Sequence, residues 1–155
     1  MAMKSVQGSS QGSGKRFAII VSRWNELVTK ELLSGAQGEL ERAGVSDLEV
    51  IHVPGTWEIP VVAAKLAART KNQPNGIVAL GCILQGQTTH AQLLAGDVGS
   101  ALMSISVSSL VPISWGILTP DTQDQALDRA GLKHGNKGRE AALAALEMAG
   151  VLEQL

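Results

Sequence analysis

The sequence comprises 155 residues, of which 45% are hydrophobic and 17% are charged. A chain of this length and apolar content can form one domain with a continuous core, which excludes intrinsic disorder. Thirteen basic and fourteen acidic residues give a net charge of −1, which excludes the basic field that nucleic-acid binding requires. The single cysteine, Cys82, cannot form an intramolecular disulfide, and no Cys/His spacing typical of a metal site is present.

The first fifteen residues are rich in Gly, Ser and Gln and contain no apolar run. This composition predicts a flexible N-terminal arm over residues 1–15 rather than a secretory signal. We therefore expect a cytoplasmic protein with a single domain over residues 16–155.

Four short apolar runs alternate with stretches of helical periodicity along the rest of the chain. The predicted strands are residues 17–21, 48–53, 77–84 and 113–118. Helices are predicted between Asn25, as N-cap, and Gly44, over residues 59–68, 89–110 and 123–129, and from Asn136 onward. This alternation predicts an α/β three-layer sandwich, in which a four-stranded parallel sheet has helices on both faces.

Charged residues are almost absent from the middle of the chain. Between residues 72 and 120 the only one is Asp97, although this stretch includes the longest predicted helix. A membrane span is one explanation, but Gly, Ser and Gln92 interrupt the apolar pattern and strands follow directly on each side. Burial in a large homo-oligomeric interface is the better interpretation.

The chemistry is expected at the carboxyl ends of the strands, where parallel α/β sheets bind their ligands. Residues 85–90 (Gln-Gly-Gln-Thr-Thr-His) lead into a helix, and their backbone N–H groups could bind an anion. The alternative is that Thr88 or Thr89 merely caps the helix. An imidazole at His90, beside such an anion, would suit proton transfer near neutral pH, although a histidine can also be purely structural.

Three tryptophans and a basic cluster complete the candidate residues. Trp24 is interpreted as stacking on a heterocyclic ring, whereas for Trp57 and Trp115 both stacking and core or interface filling stay open. The basic cluster lies at the start of the last helix, where the helix dipole disfavours positive charge. Arg129 is the phosphate candidate because guanidinium binds phosphate bidentately, while Lys133 and Arg139 are expected in a solvated turn.

Six motifs, in the same order, resemble those of the lumazine synthase family from residue 16 to the C-terminus. They are Arg-Trp-Asn at 23–25, Pro-Gly-Thr-Trp-Glu-Ile-Pro at 54–60, Ala-Leu-Gly-Cys-Ile at 79–83, Gly-Gln-Thr-Thr-His at 86–90, Gly-Ile-Leu-Thr at 116–119 and Gly-Asn-Lys-Gly at 135–138. The resemblance implies a flavodoxin-like fold and, without any cofactor, condensation of 5-amino-6-(D-ribitylamino)uracil with 3,4-dihydroxy-2-butanone 4-phosphate. The product would be 6,7-dimethyl-8-ribityllumazine, the penultimate compound of riboflavin biosynthesis.

The resemblance also implies a role for each matching residue. His90 would transfer protons, and Gln87, Thr88 and Arg129 would bind the phosphate of the second substrate. The pyrimidine and its ribityl chain would contact Trp24, Thr56, Trp57 and Glu58, the backbone of Cys82, Ile83 and Leu84, and Trp115 of a neighbouring subunit. The family's sites lie between the subunits of a pentamer.

Several positions depart from the family pattern. Gln85 stands where the family often has a basic residue, Ala91 and Gln92 replace an aromatic and an acid, and Trp24 and Trp115 replace phenylalanine. The first three substitutions leave open a non-catalytic lumazine- or flavin-binding shell protein. A generic nucleotide binder has less support, because the chain has no glycine-rich dinucleotide or Walker motif. The uninterrupted connection over residues 131–136 predicts a shell of twelve pentamers.

Overall fold

The computed structural model describes residues 1–86 and 89–155, and its centre is a parallel sheet. The four strands are β1 (Arg16–Ser22), β2 (Asp47–Val53), β3 (Gly76–Cys82) and β4 (Ile113–Leu118), in the order β2-β1-β3-β4. The predicted strands are confirmed to within one residue, except that β3 ends at Cys82 rather than at residue 84. The parallel pairing of β3 with β4 ends where Cys82 lies beside Leu118, although the Ile83 N–H still donates to the Leu118 carbonyl at 2.8 Å.

Five helices cover the two faces of the sheet in the described part of the chain. They are α1 (Glu26–Arg42), α2 (Ile59–Ala67), α3 (His90–Ser109), α4 (Gln123–Arg129) and α5 (Lys137–Leu152), and a single 3-10 turn (Thr56–Glu58) leads into α2. Helices α1, α4 and α5 pack on one face, and α2 and α3 pack on the other. The predicted three-layer α/β sandwich is confirmed.

The apolar runs of the strands follow from burial on both faces. In β1, Phe17, Ile19 and Val21 belong to the core under α1 and α5, whereas Ala18 and Ile20 belong to the core under α2 and α3. Successive side chains of a strand point to opposite faces, so a strand between two helical layers needs apolar residues at every position.

Helices α1 and α5 approach closely at a pair of glycines. A Cβ on Gly138 would collide with the Leu32 carbonyl, and one on Gly35 would collide with the Asn136 side chain. The close approach therefore requires glycine at both positions and brings the start of α5 against the middle of α1.

An ion-pair cluster joins the same two helices. The buried Glu39 carboxylate of α1 accepts hydrogen bonds from Arg42 at 2.6 Å and from Arg139 of α5 at 2.7 Å. These bonds, that of Arg42 first, hold the pKa of Glu39 below its ordinary value. Arg139 is thus ion-paired and not simply solvated, and Lys137 pairs with Glu140 at 3.1 Å. The protein's own carboxylates offset the positive charge at the start of α5.

Residues 1–15 form no helix or strand and lie against the ends of α1 and α5. The Gly12 N–H donates to the Ala43 carbonyl at 2.8 Å, Gln154 donates to the Gln7 carbonyl at 2.8 Å, and Lys15 pairs with Glu153 at 3.1 Å. The flexibility of this arm stays a prediction.

Candidate functional site

The loops after β1 and β2 are held together at the carboxyl end of the sheet. The Arg23 N–H donates to the Val53 carbonyl at 2.8 Å, and the Trp24 N–H donates to the Pro54 carbonyl at 3.0 Å. These two bonds extend the pairing of β1 with β2 beyond the strands themselves. They fix the backbone of the first predicted aromatic residue.

Asn25 directly precedes α1, but its side chain does not cap the helix as expected. Its backbone is left-handed (φ 62°, ψ 44°), and its Nδ2 donates to the Cys82 carbonyl at 2.8 Å. Asparagine tolerates this conformation better than most residues do. The side chain therefore ties the loop after β1 to the end of β3 instead of satisfying a helix N–H.

The Trp24 indole lies against Gly55. A Cβ at Gly55 would lie 2.5 Å from Trp24 Cε3 and 3.1 Å from Glu58 Oε2, so glycine is required for this approach. Glu58 Oε2 in turn accepts the Gly55 N–H at 2.9 Å. Since 65% of the Trp24 surface stays exposed, one face of the ring can stack on a planar ligand.

Thr56 lies beside Gly81 of β3, with only 6% of its surface exposed. Its Oγ1 is 3.1 Å from the position that a Cβ on Gly81 would take, and Ser22 Oγ is 3.2 Å from the same position. Trp57, by contrast, is 58% exposed. Trp24, Thr56, Trp57, Glu58 and Cys82 thus gather around three strand ends, and we call this group the aromatic edge.

The backbone of residues 82–84, which is expected to contact a pyrimidine, already makes some hydrogen bonds within the chain. The Cys82 carbonyl accepts from Asn25, and the Ile83 N–H donates to the Leu118 carbonyl. Leu84 and the remaining carbonyl lone pairs are therefore the better candidates for ligand contacts. Burial raises the pKa of the Cys82 thiol to about 11, so the thiol stays protonated at neutral pH.

His90 is the exposed first residue of α3, as expected from the sequence. Thr89 occupies the N-cap position but makes no side-chain capping bond, so helix capping does not account for its hydroxyl. Gln87 and Thr88, two of the expected phosphate ligands, lie outside the described residues.

A cavity of about 550 Å³ opens at the carboxyl end of β4, and we call it the cation cavity. Arg129 lies in its wall, together with Lys137, which belongs to the basic cluster at the start of the last helix, and His134, which no sequence motif singled out. Thr119, Asp121 and Asp128 also line it. The motif Gly-Asn-Lys-Gly at residues 135–138 was a signal for Lys137, but its position beside β4 depends on how α5 packs.

The structure separates the aromatic edge from the cation cavity. The loop after β3 reaches the rim of the cavity, because the Gln85 N–H donates to the Pro120 carbonyl at 3.0 Å. Trp57, however, follows edge strand β2, and β4 lies three strands away, roughly 14 Å at the usual strand spacing. Within one chain, Arg129 and Trp57 therefore belong to opposite edges of the sheet.

Trp115 is separated from His90 as well. Its ring packs against α3, where its nearest atom is 3.5 Å from the position that a Cβ on Gly99 would take. Gly99 lies nine residues after His90, which corresponds to roughly 13 Å along the helix axis. Because 37% of Trp115 is exposed, its ring is available to a partner outside the chain.

Residues 1–86 and 89–155 contain neither a metal-binding cluster nor a helix that could span a membrane. No three His, Cys, Asp or Glu side chains cluster in an arrangement that could hold a metal ion. None of the helices described there combines the length and the apolar character needed to cross a membrane.

Comparisons with known proteins agree on one family. The family model described as 6,7-dimethyl-8-ribityllumazine synthase matches residues 14–153. A curated protein from Kosmotoga olearia, named 6,7-dimethyl-8-ribityllumazine synthase, is 44% identical over 155 residues. The alignment covers 99% of this chain and 98% of that relative.

Proposed function

This chain belongs to the 6,7-dimethyl-8-ribityllumazine synthase family, and on that premise we propose how its residues carry out the reaction. It is a transferase of riboflavin biosynthesis that condenses 5-amino-6-(D-ribitylamino)uracil with 3,4-dihydroxy-2-butanone 4-phosphate. The observation that carries the assignment is the family match across nearly the whole chain. The placement of His90 and Arg129 at the carboxyl end of the sheet supports it.

The pyrimidine substrate binds at the aromatic edge in this proposal. Its ring stacks on the exposed face of Trp24, whose opposite side is fixed by Gly55. Thr56, Trp57 and Glu58 hold the ribityl chain, which carries the hydroxyl groups that such polar side chains bind. The backbone of residues 82–84 contacts the ring edge, with Leu84 the least engaged.

The phosphorylated substrate is held through its phosphate by Arg129 and by Gln87 and Thr88. The support for Arg129 is its place in the cation cavity, beside Lys137. Guanidinium binds phosphate through two parallel hydrogen bonds, which fixes the orientation as well as the position of the substrate.

His90 moves protons between the bound substrates. The pyrimidine's amine attacks the ketone, and the resulting carbinolamine loses water to give an imine. Elimination then releases inorganic phosphate, and the ribitylamine nitrogen closes the second ring with loss of a second water. Each step requires a proton to be given or taken, which an exposed imidazole can do, while the two sites contribute orientation.

We further propose that the active site is completed by a neighbouring subunit in a pentamer. Within one chain Trp115 lies far from His90, so the ring is better placed to serve a different subunit's site. Helix α3 also exposes the apolar side chains of Leu93, Met103 and Val107, and Leu110 is exposed at its C-terminal end; Asp97 is the only Asp, Glu, Lys or Arg of the helix. A face of this kind needs a partner surface, and a second copy of the chain would supply it.

Twelve such pentamers would close into a sixty-subunit shell. The support is the compact connection between α4 and α5, which the Asn136 side chain closes by donating to the Ala130 carbonyl at 2.9 Å. Sedimentation at neutral pH should give the mass of about sixty chains. A pentamer mass alone would contradict the shell.

The condensation is tested by following lumazine absorbance after mixing the protein with both substrates. Because the substrates also condense spontaneously, a protein-free control is essential. We expect the wild type to exceed this control clearly, His90→Ala to be slower by about 10²-fold or more, and His52→Ala, a matched exposed histidine on β2, to match the wild type. Tight lumazine binding without acceleration by the wild type would instead identify a non-catalytic shell protein.

A further inference from the structure

His134 lies in the cation cavity, although neither the substrate roles above nor the sequence motifs use it. It is one of three basic residues in the wall, with Arg129 and Lys137. Two carboxylates, Asp121 and Asp128, face the same space. Of the side-chain types in this wall, only a histidine imidazole ordinarily changes its charge between pH 5 and 8.

The backbone around His134 is fixed. Its N–H donates to the Asp128 carbonyl at 2.7 Å, and the neighbouring Lys133 N–H donates to the same oxygen at 3.2 Å. Gly131 (φ 115°) and Gly135 (φ 75°) take left-handed conformations on either side, which lets the chain fold back on the end of α4. The hydrogen-bonded turn therefore fixes the backbone of His134 at the cavity wall.

The protonation state of His134 changes the net charge that the cavity wall presents to an anion. Arg129 and Lys137 contribute two positive charges, and Asp121 and Asp128 contribute two negative ones. Lys137 is further offset by Glu140, which lies 3.1 Å from its Nζ. With Glu140 counted, these charges sum to −1 when His134 is neutral and to zero when it is protonated, so protonation removes the net repulsion of an anion and adds a donor beside Arg129.

We propose that His134 is an anion-binding residue that makes the phosphate affinity of the cation cavity depend on pH. The proposal rests on the proposed function in that Arg129 is taken as the phosphate ligand. Protonated His134 donates to a dianion beside Arg129, so binding tightens as the pH falls through the imidazole range. Deprotonation leaves a neutral ring, and the anion is released more readily.

Sulfate is the probe that tests this, because it remains a dianion from about pH 5.5 to about pH 8, whereas phosphate itself titrates. Calorimetry on the assembled wild-type protein should give a Kd for sulfate that is about tenfold lower at the lower pH than at the higher one. His134→Gln, which cannot gain a proton, should change less than about twofold over the same range. His52→Gln, a matched histidine on the far edge strand, should behave as the wild type does.

Two outcomes overturn the proposal. The first is an equal pH response in the wild type and in His134→Gln, which would assign the effect to another group such as His90. The second is a wild type that binds no sulfate at the lower pH. The variant Arg129→Ala distinguishes failure of the His134 proposal from failure of the proposed function. If Arg129→Ala leaves the sulfate affinity unchanged, Arg129 is not the phosphate ligand, regardless of the result for His134→Gln.

The KM values of the two substrates give a second test, because a purely structural role of His134 would not change one of them selectively. Near pH 6, His134→Gln should raise KM for 3,4-dihydroxy-2-butanone 4-phosphate several-fold and leave KM for the pyrimidine unchanged. An equal rise in both constants would indicate general damage to the α4–α5 connection and would count against the proposal.

Discussion

At the scale of single residues, Cys82 shows how one position can contribute through its backbone rather than its side chain. Its carbonyl accepts the Asn25 amide at 2.8 Å, which places the loop carrying Trp24. Its thiol, however, is 3% exposed and has its pKa raised to about 11 by burial. The thiol is therefore excluded as a nucleophile in the proposed reaction.

The raised pKa of Cys82 predicts slow alkylation. Relative to an ordinary thiol of pKa 9.0, the thiolate fraction near pH 8 falls about 100-fold, and burial slows access further. Iodoacetamide labelling, followed by mass spectrometry, should leave the folded protein unmodified while the urea-unfolded protein reacts within minutes. Rapid labelling of the folded protein would show that the end of β3 opens to solvent.

Some site residues could be predicted from the sequence because their positions depend only on local pattern. Trp24 and His90 directly follow strand-like runs, so the rule for parallel sheets places both at the carboxyl edge. The Asn25 contact could not be predicted, because it depends on the carbonyl of a strand 57 residues away. His134 was missed for the same kind of reason, since its cavity forms only when α4 and α5 pack beside β4.

At the scale of secondary-structure elements, the contact between α1 and α5 sets the position of the cation cavity. Helix α5 carries Lys137 at its first turn, and the glycine approach together with Glu39 fixes that turn against α1. The helices themselves were predicted from periodicity, but their separation was not, because it depends on which glycines face each other. Two predictions follow from this contact.

The close approach predicts opposite effects for two glycine substitutions. Gly138→Ala should lower the free energy of unfolding by about 2 kcal/mol, because its Cβ meets the Leu32 carbonyl and one helix must move. Gly38→Ala on α1 should raise it by about 0.5–1 kcal/mol, because the only close group is the flexible Arg42 guanidinium at 3.4 Å. Urea denaturation measures both changes, and a stabilising Gly138→Ala would refute the packing described.

The Glu39 cluster predicts a pH-dependent contribution to stability. Because the pKa of Glu39 is lowered on folding, its stabilisation is complete above the ordinary glutamate range and is lost as the pH falls through the folded pKa. Glu39→Gln should cost about 1 kcal/mol at pH 7, a modest value because Arg42 and Arg139 are more than half exposed. Parallel urea titrations should show the difference from wild type shrinking as the pH falls below the ordinary glutamate range.

Glu41→Gln is the matched control for this measurement, since Glu41 is exposed on the same helix. It should change the unfolding free energy by less than about 0.5 kcal/mol at either pH. A Glu39→Gln penalty that persists unchanged in acid would mean that the lost interaction is packing and not charge.

At the scale of the whole molecule, the strand order separates the two groups of candidate residues within one chain. The aromatic edge lies at the ends of β1, β2 and β3, whereas the cation cavity and Trp115 lie at β4. Sequence patterning predicted the layers and the charge-poor segment, and both are present. It could not predict that Trp115 and His90 lie far apart within the chain, because that depends on how α3 packs against β4.

Complementation between two defective variants shows whether His90 and Trp115 of different subunits form one site. His90→Ala and Trp115→Ala should each be strongly impaired, with the lumazine absorbance assay as readout. When they are unfolded together in equal amounts and refolded, about a quarter of the sites between subunits regain both wild-type residues. The account predicts a rate near a quarter of the wild-type rate; a rate equal to the mean of the two variants would place His90 and Trp115 in the same chain's site and contradict it.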